Sequence, residues 1–350
     1  MKREGLMKTI KKGLALTGAF AMAVGLTACG GGSSSSDKSG EGALTITNVS
    51  YDPTRELYAE YNEAFKAHYK QETGKDVEIV QSHGGSGKQA RSVVEGADAD
   101  VVTLALEHDI TLIEEAGMIK PGWLDEFKLD SSPYTSTIVF LVRKGNEKGL
   151  KDWNDLIKDG VEVITPDPKS SGGAMWNFLA AWQYASDNFD GDETQIKDFM
   201  KKLYGNVTVM DSGARGATTT FVENGQGDVL IAWENEAIAT LKEYPNDYEI
   251  ITPSISILAQ PSVAIVDENA DKNGTQELCK AYLEYLYSDE AQEIIAKNGY
   301  RPSNEEILKK YGDSFDLSVK LCNINDFGGW NKAYDTFFKD GAIFDEIYTH

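Results

Sequence analysis

One junction recurs along this chain: a short run of β-branched residues, a Gly/Ser turn, then the start of a helical pattern. It reads Gln81-Ser82-His83-Gly84-Gly85-Ser86-Gly87-Lys88, then Pro168-Lys169-Ser170-Ser171-Gly172-Gly173-Ala174, then Asp211-Ser212-Gly213-Ala214-Arg215-Gly216. A fourth copy, Ser50-Tyr51-Asp52-Pro53, replaces glycine with an aspartate read as N-cap and a proline read as N1. Strands that feed helices in this way constrain the chain to an α/β fold with largely parallel sheets. The first helical turn leaves N–H groups unpaired at the positive end of the dipole, so each junction is a candidate anion seat. In open α/β sheets ligands sit beyond the C-terminal strand ends, where all four junctions lie.

The pattern is legible in detail. Strand-like runs are Leu44–Val49, Val77–Val80, Val101–Leu104, Val161–Ile164, Val207–Met210 and Val229–Ile231. Helical runs are Thr54–Glu72, Gly173–Ala185, Glu234–Glu243 and Thr275–Lys297. Two runs, Thr137–Val142 and Pro261–Val266, are almost wholly apolar and sit where the chain can pass between lobes. The expected division is residues 44–135 plus 255–315 for lobe one and 136–254 for lobe two. Residues 316–350 are expected to pack back across both.

The first 28 residues read as a processing segment. Lys2, Arg3, Lys8, Lys11 and Lys12 form a basic start, Gly13 to Gly25 is small and apolar, and Leu26-Thr27-Ala28-Cys29 closes it. That ending resembles the lipobox of bacterial lipoproteins, which implies a lipid on Cys29. Residues 29–43 are mostly Gly, Ser and charge and read as a flexible tether. The whole chain carries −22, from 34 Lys/Arg against 56 Asp/Glu; without the leader's five Lys/Arg and one Glu it carries −26. Such acidity argues against nucleic acid as a partner. It does not forbid an anion, because bulk charge is screened over about 8–10 Å while N–H groups act at contact distance.

Cys279 and Cys322 could pair in an exported protein; the helical surroundings of Cys279, with Leu278, Tyr282 and Leu283, favour two buried thiols. His68, His83, His108 and His350 show no metal-ligand spacing, so no metal or cofactor is expected. Gly84 to Gln89 resembles a phosphate loop but lacks its first glycine and its final Ser/Thr. Ser171 has no evident histidine partner for nucleophilic catalysis. The pairs Asp98/Asp100 and Glu234/Glu236 read as loop anchors rather than glycosidase acids.

Five longer runs carry a resemblance. They are Ser50–Tyr58, Gln81–Gln89, Ala97–Leu106, Thr135–Asn146 and Asp228–Glu236. Over these, and over about Leu44 to Ile347 as a whole, the chain resembles the sulfate-binding proteins of bacterial ABC importers. The resemblance implies a two-lobed, type II periplasmic-binding-protein-like α/β fold with its ligand in the inter-lobe cleft. It implies a monomeric binding protein rather than an enzyme, with sulfate as ligand and the transmembrane subunits of an ABC permease as partner. Thiosulfate or another tetrahedral oxyanion is the alternative ligand; an extracellular hydrolase is the remote one. Carried over residue by residue, the donors are the backbone N–H groups of Asp52, Ser86, Gly172, Gly173 and Ala214, the Ser171 hydroxyl and the Trp233 indole N–H. Met175 departs from the family, whose members usually carry arginine there.

Overall fold

The computed structural model describes residues 43–348. The leader, Cys29, most of the tether and His350 lie outside the described residues.

Two sheets organise the chain. The first runs Ser262–Ile265, Val101–Leu104, Leu44–Tyr51, Val77–Gly84 in spatial order. The second runs Val207–Asp211, Val163–Pro166, Val229–Trp233, Ile138–Arg143, Tyr248–Ile251. In the first, Leu44–Tyr51 pairs in parallel with both Val77–Gly84 and Val101–Leu104. In the second, Val163–Pro166 pairs in parallel with both Val207–Asp211 and Val229–Trp233. The two almost wholly apolar runs become Ile138–Arg143 and Ser262–Ile265, and both lie antiparallel to their neighbours. Each enters its sheet directly from the other lobe, so no helical crossover reverses its direction. Helices cover both faces of the sheets, and near-continuous burial of Ile138–Val142 and Val229–Trp233 follows.

The chain passes from the first sheet to the second at Ser136 and Thr137. The return lies later than the sequence suggests. Residues 255–257 were expected in lobe one, but Ile255–Ile257 pairs with Lys320–Cys322 rather than with the first sheet. Ser256 Oγ donates to Ile138 O at 2.7 Å and the Trp153 indole donates to Ile255 O at 2.8 Å, both within the second lobe. Beyond it, Ala259 bridges Ser136, so the two crossings lie side by side.

The predicted helical run Thr275–Lys297 is two helices, Gln276–Tyr285 and Asp289–Lys297. Ser288 is extended between them, and its hydroxyl accepts from the Ala291 N–H. The Ser288-Asp289-Glu290 start carries the cap and acidic first turn that mark a new helix.

The C-terminal stretch packs mainly on the second lobe's helices. Trp330 meets Trp176, Phe338 meets Phe178, Phe337 meets Trp182, and Phe344 meets Tyr204. It reaches the first lobe where Tyr334 stacks on His108, with centroids 4.0 Å apart. Cys279 and Cys322 are free and buried, and burial pushes both thiols up to about 12. Among the described residues, no helix is long and apolar enough to cross a membrane, and no His/Cys/Asp/Glu group is placed to hold a metal ion.

Candidate anion-binding site

Each junction delivers a helix start to one hollow between the sheets. The strand Leu44–Tyr51 ends in a tight turn, Asp52–Thr54, before the helix Arg55–Thr73. Thr54 Oγ1 fixes the turn by donating to Tyr51 O at 2.6 Å. The expected N-cap role of Asp52 is not what forms. Tyr51 occupies the cap position, Asp52 opens the turn, and its carboxylate accepts from Arg55 Nη2 at 2.8 Å. Because the turn starts one residue early, Asp52 lies inside it, and the Arg55 guanidinium three residues on takes its carboxylate.

The strand Val77–Gly84 leads through Gly85 into the helix Ser86–Val94. Gln89 ties this junction to the first, since its Nε2 donates to Ser50 O at 3.1 Å and to Ser82 Oγ at 3.0 Å. The Ser86 hydroxyl is already engaged: it donates to Asp109 Oδ2 at 2.5 Å and accepts from the Ala105 N–H at 3.0 Å. Burial raises the Asp109 carboxyl to about 6, against the opposing pull of Ser86 and Arg91.

The second lobe supplies two more starts. The helix Gly172–Asn188 begins after Ser171, whose side chain makes no capping bond. The loop before it is held by Asp167 O, which accepts from the N–H groups of Ser170 and Ser171 at 3.1 and 2.8 Å. The helix Ala214–Val222 follows Gly213. Trp233 ends its strand, 1% exposed, and its indole Nε1 has no hydrogen-bond partner. A Cβ on Gly173 would stand 2.7 Å from that Nε1 and 3.5 Å from Ser171 Oγ, so only glycine brings backbone and indole together here.

Five of the seven sequence-predicted residues, Asp52, Ser86, Ser171, Gly173 and Ala214, line one small, nearly closed hollow with Tyr51, Pro53, Gly84 and Gly85. Trp233 borders it through Gly173. Gly172 turns its Cα face away, against Leu106 and Ala105, and leaves its backbone beside Gly173. A larger, open groove lies alongside, lined by Glu56, Arg215, Glu223, Glu236 and Glu243 among others. Its lining is of mixed charge, with Lys242 and Lys297 besides Arg215, and none of the seven predicted donors borders it.

Sequence reasoning missed what holds the lobes together. Arg215 donates from Nη1 and Nη2 to Glu56 of the first lobe at 2.9 and 2.7 Å. It also reaches Glu236 of the second lobe from Nε at 3.1 Å and from Nη2 at 2.9 Å. The Arg215 hydrogen bond lowers the Glu56 carboxyl, whereas burial raises that of Glu236 despite Arg215. Gly85 is needed for a second approach, because a Cβ there would meet Ser170 O at 2.7 Å and Ser212 O at 3.0 Å across the cleft. The carboxylates read as anchors are engaged as such: Asp100 accepts from the Thr47 N–H and Thr275 Oγ1, and Glu234 from the buried Arg301.

A family model for bacterial extracellular solute-binding protein matches residues 46–301. A sulfate-binding protein of Escherichia coli K12 is 59% identical over 306 residues, covering 87% of this chain and 93% of that protein. A thiosulfate-binding protein of Pseudomonas aeruginosa is 46% identical over 309 residues, covering 88% and 93%. The solved sulfate-binding protein of Mycobacterium tuberculosis H37Rv superposes with a TM-score of 0.75 at 33% identity, covering 85% of this chain and all of that one. With this match over most of its length and a two-lobed α/β fold around a cleft of helix starts, the chain belongs to the bacterial extracellular solute-binding proteins.

Proposed function

We propose that this protein captures sulfate between its lobes outside the cytoplasmic membrane and hands it to an ABC permease. The observation that carries this reading is the buried, unpartnered indole N–H of Trp233, set beside Gly173 and Ser171 where four helix starts converge. Such a lining offers donors and suits a fully ionised anion that only accepts. The proposed donors are the N–H groups of Asp52, Ser86, Gly172, Gly173 and Ala214, Ser171 Oγ and Trp233 Nε1. Sulfate is the name borne by the more similar relatives; the 46% identical thiosulfate-binding relative keeps thiosulfate as the second reading. The cleft works by binding, not turnover. The lobes, about 44–135 with 258–315 and 136–257, close around the anion, and the permease reads the closed form. A lipid on Cys29 anchors the protein; Cys29→Ala is expected to release it from membranes on fractionation.

Calorimetric titration with sulfate, thiosulfate and phosphate tests the ligand. Hydrogen phosphate keeps a proton near neutral pH and points a donor at a donor, so it is expected at least about a hundredfold weaker than sulfate. Phosphate within about tenfold of sulfate contradicts the donor-only site.

A further inference from the structure

Tyr51 and Trp233 end strands of different sheets, yet their rings meet across the cleft. Their centroids are 5.4 Å apart with planes at 48°. Both side chains are buried, 2% and 1% exposed. An indole N–H is a useful donor only when the ring is fixed, since the group donates along a single direction. On one side of the Trp233 indole stands Gly173, with no side chain to press on it. Tyr51 packs on the ring from the opposite lobe. Its own backbone is held, because Tyr51 O accepts from Thr54 Oγ1 at 2.6 Å. Its hydroxyl lies among the phenols of Tyr300, Tyr58 and Tyr134, and it is the ring that Trp233 meets.

We propose that Tyr51 is a positioning residue for the anion: its ring, coming from the opposite lobe, fixes the Trp233 indole so that the N–H faces the cleft. The inference rests on Trp233 being an anion donor. Because the two rings belong to different lobes, the indole reaches its donating pose only as the lobes meet. Tyr51 thereby links closure to the completeness of the donor set.

A double-mutant cycle read by sulfate titration tests this. Tyr51→Leu is expected to weaken sulfate binding about three- to tenfold in the wild-type background, the range of an aromatic pair. In the Trp233→Phe background the same change is expected to cost less than about twofold, because the donor it positions is gone. Tyr51→Phe, which keeps the ring, is expected to bind within about twofold of wild type. Unfolding temperatures without sulfate establish that each variant is folded, and Tyr51→Met replaces Tyr51→Leu if that variant is not. An equal loss in both backgrounds, or none in either, overturns the positioning role while leaving Trp233 as a donor. A Trp233→Phe variant that binds sulfate as wild type does overturns the donor assignment itself, and the proposal with it.

Discussion

Ser171 and Ser86 border the same hollow, but their hydroxyls stand in different bonding situations. The Ser171 side chain makes no capping bond, whereas Ser86 is committed to Asp109 and Ala105. Ser171→Ala is therefore expected to weaken sulfate binding by about 1.5–3 kcal/mol, the range for a hydrogen bond to a charged group. Its unfolding temperature without ligand should barely change. Ser86→Ala strands a buried N–H and a buried carboxylate, so it is expected to cost about 1–3 kcal/mol of stability instead. Its effect on sulfate affinity should be small, because its proposed donor is backbone. Titration and thermal unfolding of both variants check this; equal damage to binding in two folded variants contradicts the division. Asp109 adds a pH signature. Its folded value of about 6 stands above the roughly 3.9 of an exposed aspartate. The folded chain thus takes up a proton before the unfolded chain as pH falls, and stability gains up to about 3 kcal/mol between about pH 6 and 4. Asp109→Asn removes that gain. The stability of wild type relative to the variant should therefore rise across this window, and a flat or falling difference contradicts the assignment.

At the scale of elements, the strand-to-helix junctions were legible because their signals are local. Val101–Leu104 and Glu234–Glu243 fall where β-branched and helical patterns put them. Gly173 and Ser171 stand at a junction readable as an anion seat from residue type, but their individual donor roles come from the family resemblance. What failed depended on partners. Asp52 looked like a cap until Arg55 took its carboxylate, a choice between two nearby partners that propensity does not rank. The break at residues 286–288 was missed because the apolar periodicity of Leu278, Tyr282, Leu283 and Ile294 continues through it. The Arg215–Glu56 clasp joins residues 159 positions apart, and nothing local in either helix announces it. Trp233 as a donor came only through the family resemblance. Its strand pattern alone equally describes a core tryptophan, and what separates the two roles is its unpartnered Nε1.

For the whole molecule, the balance to explain is an acidic protein that binds a dianion. The chain carries −22 overall. At the hollow that charge is paired or held apart: Asp52, the one acidic residue in its lining, is paired to Arg55, and Asp109 sits behind Ser86. Helix starts from both lobes then dominate over contact distances, while remote surface charge is screened within about 8–10 Å. With the proposed donors divided between the lobes, closure and binding are one event, and ligand is expected to stabilise the folded protein by mass action. Crystals grown with selenate, a tetrahedral dianion whose selenium scatters anomalously, test this account most directly. The account predicts an anomalous peak in the inter-lobe hollow, its oxygens within about 2.7–3.2 Å of Ser171 Oγ, Trp233 Nε1 and the N–H groups of Asp52, Ser86, Gly172, Gly173 and Ala214. A peak in the open groove beside Arg215, or an anion contacted by one lobe alone, contradicts it.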